Sequence, residues 1–127
     1  MCVGDEFRVD VVVRGGRHWV TVHGDLDVAT APELAEATDE RIPDDDGLPV
    51  VLDLTDSDFM DSTGARAVVV LGRSAGSAHR EFSIVSTPGS GARFTLDLLA
   101  VGEAFTLVDD VTAVDDAPGD HGGAVSA

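Results

Sequence analysis

Two hydroxyls, those of Ser62 and Thr63, stand in a segment that joins two apolar runs: Phe59-Met60-Asp61-Ser62-Thr63-Gly64. Before it, Leu48-Pro49-Val50-Val51-Leu52-Asp53-Leu54 is too short and β-branched for a helix and long enough for a buried strand. After it, Ala65 to Ala75 is rich in small and aliphatic residues and long enough for a helix. The hydroxyls therefore lie where a loop becomes a helix, and one of them is expected at the N-cap, accepting a hydrogen bond from an unpaired backbone N–H. The same position suits a phosphate, because free N–H groups and the helix dipole both favour negative charge. Gly64 has no side chain and is read as letting a partner approach the backbone. A serine that can be read bare or phosphorylated is the chemistry of a switch. The plainer use of such a residue is a cap worth about 1 kcal/mol.

Other groups invite other chemistry. Asp25 and Asp27 follow a strand, where Asp favours bends. Asp53, Asp56, Asp58 and Asp61 lie at the end of the most apolar strand, where carboxylates could bind Mg²⁺ or accept a phosphoryl group. Asp53 after Val-Val-Leu looks like the phosphoacceptor of receiver domains. Those domains, however, carry an acidic pair after the first strand and a late lysine. Here the first strand ends in Arg14-Gly15-Gly16 and the sequence has no lysine. Ser62, a histidine and an aspartate make a catalytic triad on paper, but Asp-Ser-Thr-Gly is not a nucleophile elbow. His18 and His23 are five apart on one strand and face opposite ways. No spacing suggests a metal site, and Thr87-Pro88-Gly89-Ser90-Gly91 lacks the lysine of a nucleotide-binding loop. No catalysis, cofactor or metal is expected.

The elements that must position these groups follow from pattern. Phe7 to Val13 reads as a half-buried strand, Arg14-Gly15-Gly16-Arg17 as a tight turn, and His18 to His23 as the second strand of a hairpin. Ala29 to Ile42 reads as a helix with Thr30 as N-cap, Pro32 in its first turn and Glu33 favouring the dipole. Pro43-Asp44-Asp45-Asp46-Gly47 ends it in an acidic loop. Val50 to Leu54 is the central strand, Ser62 to about Ala75 a helix, and Glu81 to Ser86 a fourth strand. Pro88 to Leu99 is a third helix with a glycine-weakened start, Phe105 to Val108 a fifth strand, and Val111 to Ala117 a last helical turn. Two strands followed by alternating helix and strand indicate one α/β domain, residues 1–117, with a mixed sheet of about five strands and about four helices. Residues 118–127 read as a frayed tail.

A chain of 127 residues is one domain's worth, enough to bury roughly 65% of its unfolded surface. The formal net charge of −16 argues against nucleic acid and against an anionic membrane surface. It suits a partner that presents basic residues, or a generally acidic proteome. The single cysteine, Cys2, permits no internal disulfide. There is neither a secretory pattern nor a run near the ~20 apolar residues of a membrane span. A cytoplasmic protein is expected.

Phe-Met-Asp-Ser-Thr-Gly after an apolar strand resembles the signature of bacterial anti-sigma factor antagonists, single-domain proteins of the STAS family. Val22-His23-Gly24-Asp25-Leu26-Asp27, then Ala29-Thr30-Ala31-Pro32-Glu33-Leu34, is similar to the family's Gly-(Glu/Asp)-Leu-Asp element leading into its first helix. The resemblance covers about Val9 to Val114 and implies the same mixed α/β fold. It implies that Ser62, after the aspartate, is the residue a partner kinase phosphorylates, and that Thr63 is not. It places Asp27 close to that serine on the docking face, formed by Asp25, Asp27, Asp61, Ser62, Thr63, Gly64 and Arg66. It implies an anti-sigma factor with serine kinase activity as partner and a serine phosphatase to reverse the mark. An accessory STAS module of a transport or lipid-trafficking complex is the rival, disfavoured by the presence of Ser62. The chain departs from the family after Gly64: Ala65-Arg66-Ala67 stands where Leu-Gly and an aliphatic residue are usual.

Overall fold

The computed structural model describes residues 7–115. The expected tail at 118–127, the end of the last helical turn and Cys2 lie outside the described residues. Strand β1 (Arg8–Arg14) and strand β2 (Arg17–His23) form an antiparallel hairpin. Its two-residue turn puts Gly15 at φ 61° and Gly16 at φ 76°, the paired positive values that such a turn requires and that glycine adopts freely. Helix α1 (Ala31–Arg41), strand β3 (Val50–Asp56), helix α2 (Ser62–Ser77) and strand β4 (Phe82–Val85) follow. Helices α3 (Gly91–Leu98) and α4 (Val101–Ala104), strand β5 (Thr106–Val108) and helix α5 (Val111–Asp115) complete the described residues. The five strands lie in the order β1-β2-β3-β4-β5, with β2 to β5 parallel.

The sequence leads to four helices, and the described residues hold five. The extra one, α4, is a single turn after Ala100, which sits in the left-handed region at φ 57°. Four residues are too few to carry a periodic signal.

Strand alternation gives the sheet two unlike faces. Val20, Val22, Leu52, Leu54 and Ile84 point to one side and pack with Leu34 of α1, Val68 of α2 and Leu96 of α3 in the main core. The opposite side holds a smaller cluster of Trp19, Val51, Val85 and Val114. The Arg14 guanidinium lies 4.0 Å over the Trp19 ring there.

Polar ties lock the ends of the sheet. His23 Nδ1 is 2.7 Å from Asp56 Oδ2 and its Nε2 is 3.1 Å from Asp10 Oδ2, so one ring joins β1 and β3 across the end of β2. At the other end, His18 Nε2 lies 2.7 Å from Asp46 Oδ2. Buried Arg80 donates to Asp46 Oδ1 at 2.7 Å, to Leu48 O at 2.8 Å and to Pro43 O. The burial around Asp46 would raise its carboxyl pKa. The Leu48 N–H, Arg80 and His18 outweigh it and bring the carboxyl down to about 2. The acidic loop after α1 is therefore held against the sheet.

Candidate functional site

The loop between β3 and α2 is bonded at almost every residue. Ser57 Oγ donates to Gly24 O at 2.7 Å and Gly24 N–H to Asp56 O at 3.2 Å. Leu26 N–H donates to Phe59 O at 3.0 Å, and Asp61 N–H to Leu26 O at 3.2 Å. This short parallel bridge, Leu26 to Met60, straps the segment after β2 onto the loop before α2. From the other side Ala92 N–H donates to Asp58 O at 2.8 Å, and Thr95 Oγ1 to Met60 O at 2.7 Å. The start of α2 therefore stands on a fixed seat made by two neighbouring elements.

Asp61, not Ser62 or Thr63, is the N-cap of α2. Its backbone is extended at φ −97°, and Oδ1 accepts from Gly64 N–H at 2.8 Å. Its other oxygen accepts from Val28 N–H at 3.3 Å, a second tie between the loops. A carboxylate three residues before that N–H meets the donor directly and is at least as good a cap as a hydroxyl. Ser62 is then the first helical residue. Its side chain is exposed and makes no hydrogen bond among the described residues. Thr63 is exposed beside it. Both hydroxyls are free of the capping role that the sequence expected one of them to fill.

Gly64 also differs from its expectation. It is buried, and a Cβ there would lie 2.2 Å from Leu26 O and 3.0 Å from Met60 Cγ. The close approach its missing side chain permits is made by Leu26 of the same chain, not by a partner.

Asp27 is half-buried and does turn chemistry. Its Oδ1 accepts from Ala29 N–H at 3.0 Å and Thr30 N–H at 3.1 Å, ahead of α1. Thr30 occupies the cap position of α1 without a side-chain cap bond. Its hydroxyl instead donates to Asp25 O at 2.7 Å and accepts from Asp27 N–H at 2.9 Å. The Asp25 side chain is exposed. The strap thus brings the Asp25–Asp27 segment next to Asp61, the residue before Ser62. Arg66 lies one turn further along α2, exposed.

The four carboxylates near the end of β3 do not converge. Asp53 is buried and accepts from Thr55 N–H at 3.0 Å and Thr55 Oγ1 at 2.8 Å. Asp56 meets His23, Asp61 caps α2, and Asp58 is exposed. Among the described residues no group of three or more His, Cys, Asp or Glu is placed to hold a metal ion. No helix among them is long and apolar enough to cross a membrane.

The sequence reading named Phe59 only as part of its motif and passed over Val28 and Val70; the three are 49%, 68% and 55% exposed. Val28 is tied to Asp61, the residue before Ser62, Phe59 precedes them in the loop, and Val70 lies two turns along α2. Val28 and Val70, with Ala31, Ala35, Thr63 and Arg66, line an open groove between α1 and α2. Val28 carried a signal, an apolar residue in an otherwise polar turn. Val70, inside the run Val68-Val69-Val70-Leu71, is indistinguishable in sequence from its buried neighbour Val68.

Three solved structures share the fold. An anti-sigma factor antagonist from Mycobacterium paratuberculosis superposes with a TM-score of 0.71 at 23% identity, with 100% of each chain covered. A protein described as an anti-sigma factor antagonist from Thermotoga maritima gives 0.71 at 19% identity, over 87% of this chain and 92% of that one. The anti-sigma factor antagonist SpoIIAA in its unphosphorylated form gives 0.59 at 16% identity, over 87% and 96%. At these identities the likeness is one of fold. The STAS domain family model matches residues 8–114, nearly all of the described chain. The chain belongs to the STAS domain family.

Proposed function

We propose that this chain is an anti-sigma factor antagonist that works by partner switching. In its bare form it binds an anti-sigma factor that is also a serine kinase, and a sigma factor is released. The kinase then transfers the γ-phosphoryl group of ATP to Ser62 Oγ, with ADP as leaving group, and the complex dissolves. A serine phosphatase returns the chain to its bare form. The kinase supplies ATP and Mg²⁺. The chain itself catalyses nothing, carries no cofactor, touches neither nucleic acid nor membrane, and acts in the cytoplasm.

One observation carries this reading. The Ser62 hydroxyl is exposed and unbonded on a rigid seat, because Asp61 performs the capping. A residue with no structural duty is available to an enzyme and can change charge without unfolding its surroundings. A phosphate would add roughly −1.5 to −2 charges between half-buried Asp61 and Thr63, which lines the α1–α2 groove.

The test is capture of the anti-sigma kinase from native lysate by wild type, Ser62→Ala and Ser62→Asp. Wild type and Ser62→Ala should bind it. Ser62→Asp should bind at least about tenfold more weakly, a loss near 1.4 kcal/mol, with its melting temperature unchanged. Peptide mass mapping after incubation with kinase and ATP should place the phosphate on Ser62. A phosphate confined to Thr63, or equal capture by Ser62→Asp, overturns the reading.

A further inference from the structure

We infer that the outer stripe of α2 is a docking rail for an acidic segment of the partner, and that a phosphate on Ser62 acts by taking Arg66 away from that rail. The inference rests on the switch reading above.

Positions 62, 66, 70 and 73 fall within an arc of roughly 80° at 3.6 residues per turn. Ser62, Arg66, Val70 and Arg73 are all exposed, so they form one outward stripe. The helix, Ser-Thr-Gly-Ala-Arg-Ala-Val-Val-Val-Leu-Gly-Arg-Ser-Ala-Gly-Ser, contains no acidic residue. That is a local reversal in a chain with 24 acidic and 8 basic residues. Elsewhere Arg8 is matched with Asp10, Arg80 with Asp46, and Arg93 with Asp97 and Asp109, Arg14 lies over the Trp19 ring, and Arg41 at the end of α1 has no ion pair among the described residues. Arg66 and Arg73 have no ion pair or side-chain hydrogen bond among the described residues. Two unmatched guanidiniums flank a valine that is 55% exposed.

The complement of this stripe has a definite chemistry. Seven residues at 1.5 Å rise put the two arginine positions roughly 10.5 Å apart along the axis. A partner helix would meet them with two carboxylates one heptad apart and an apolar side chain between, seated on Val70. Each arginine can take a carboxylate in bidentate fashion. The surrounding field of this acidic chain repels acidic proteins in general. Only a segment whose carboxylates reach these arginines escapes that repulsion.

Ser62 lies one turn before Arg66 on the same stripe. A phosphate on Ser62 offers the guanidinium a dianion of its own chain, at the spacing where helical side chains meet. Arg66 is then no longer free for the partner's carboxylate.

The test uses the full chain carrying bare serine or phosphoserine at position 62, as wild type, Arg66→Gln and Arg73→Gln. The partner is the anti-sigma kinase captured by the bare wild-type chain. Without phosphate, each glutamine variant should bind it roughly three- to tenfold more weakly. The penalty that phosphoserine adds should be smaller in Arg66→Gln than in wild type, and unchanged in Arg73→Gln. A ³¹P titration should show the second phosphate ionisation lower in wild type than in Arg66→Gln by roughly 0.3 of a pH unit. A penalty as large or larger in Arg66→Gln overturns the inference, because a phosphate that merely repels the partner repels more once Arg66 is gone. Bare affinities equal to wild type overturn the rail. So does self-association of the wild-type chain in sedimentation that both variants abolish, since a second copy would then be the occupant. Failure of the bare wild-type chain to capture any anti-sigma kinase overturns the switch reading itself, while the ³¹P titration still judges the Arg66–phosphate pair.

Discussion

Gly64→Ala tests the seat on which the proposed switch stands. The added Cβ would lie 2.2 Å from Leu26 O, 2.9 Å from Leu26 C and 3.0 Å from Met60 Cγ. An ordinary carbon–oxygen contact is roughly 3.3 Å, so backbone must separate by about 1 Å. The carbonyl in the way belongs to the strap itself, where Asp61 N–H reaches Leu26 O at 3.2 Å and Leu26 N–H reaches Phe59 O at 3.0 Å. Weakening those two bonds costs about 1 kcal/mol each, and forcing a methyl into a filled space costs about 1–3 kcal/mol. Alanine returns about 1 kcal/mol of helix propensity. The net loss is about 2–4 kcal/mol, which lowers the melting temperature by roughly 10 °C for a domain of this size. Gly76→Ala is the control: it lies on the same helix with nothing within 4 Å of the added carbon, and it should gain about 0.4–1 kcal/mol. Urea unfolding of both variants measures the difference. If the two behave alike, α2 is not seated on Leu26 as described.

Two more expectations concern charge and capping. The Asp46 carboxyl is held at about 2 in the folded chain against an ordinary 3.8, so its contribution to stability is full above about pH 4 and is lost as pH falls through 2. Asp46→Asn should therefore flatten the fall in stability between those pH values, and an acid titration followed by circular dichroism that is identical to wild type would refute it. Asp61→Ala should cost about 1 kcal/mol as a lost N-cap, while Ser62→Ala should change stability by less than about 0.5 kcal/mol; equal costs in urea melts would return the cap to Ser62.

Much of the fold could be read from the chain because local signals agree with it. The Gly15-Gly16 turn, the valine strands and the aliphatic helix after Gly64 each follow a short-range rule, and the structure places all of them within two or three residues of their expected bounds. The two segments that the resemblance assigns to one docking face are joined by the Leu26–Met60 bridge. What could not be read depends on which neighbour arrives. Asp61 and Ser62 are both good caps by type, and only the backbone geometry at Asp61 decides between them. Gly64 signals a close approach, but sequence does not say that Leu26 makes it. Asp27 signals a turn and a docking face equally, and one of its oxygens is already engaged by Ala29 and Thr30.

The bonded seat beneath α2 also bears on how fast such a signal is read. Leu26, Asp58 and Met60 hold the start of the helix through backbone groups, and Gly64 packs directly on the Leu26 carbonyl. In the proposed switch, a phosphate on Ser62 therefore meets a helix start already pinned by backbone bonds. A two-state element would instead answer the phosphate by a shift of its populations. Here the surface charge is itself the record. On the proposed reading, the signal registers as fast as the phosphoryl group is transferred and removed.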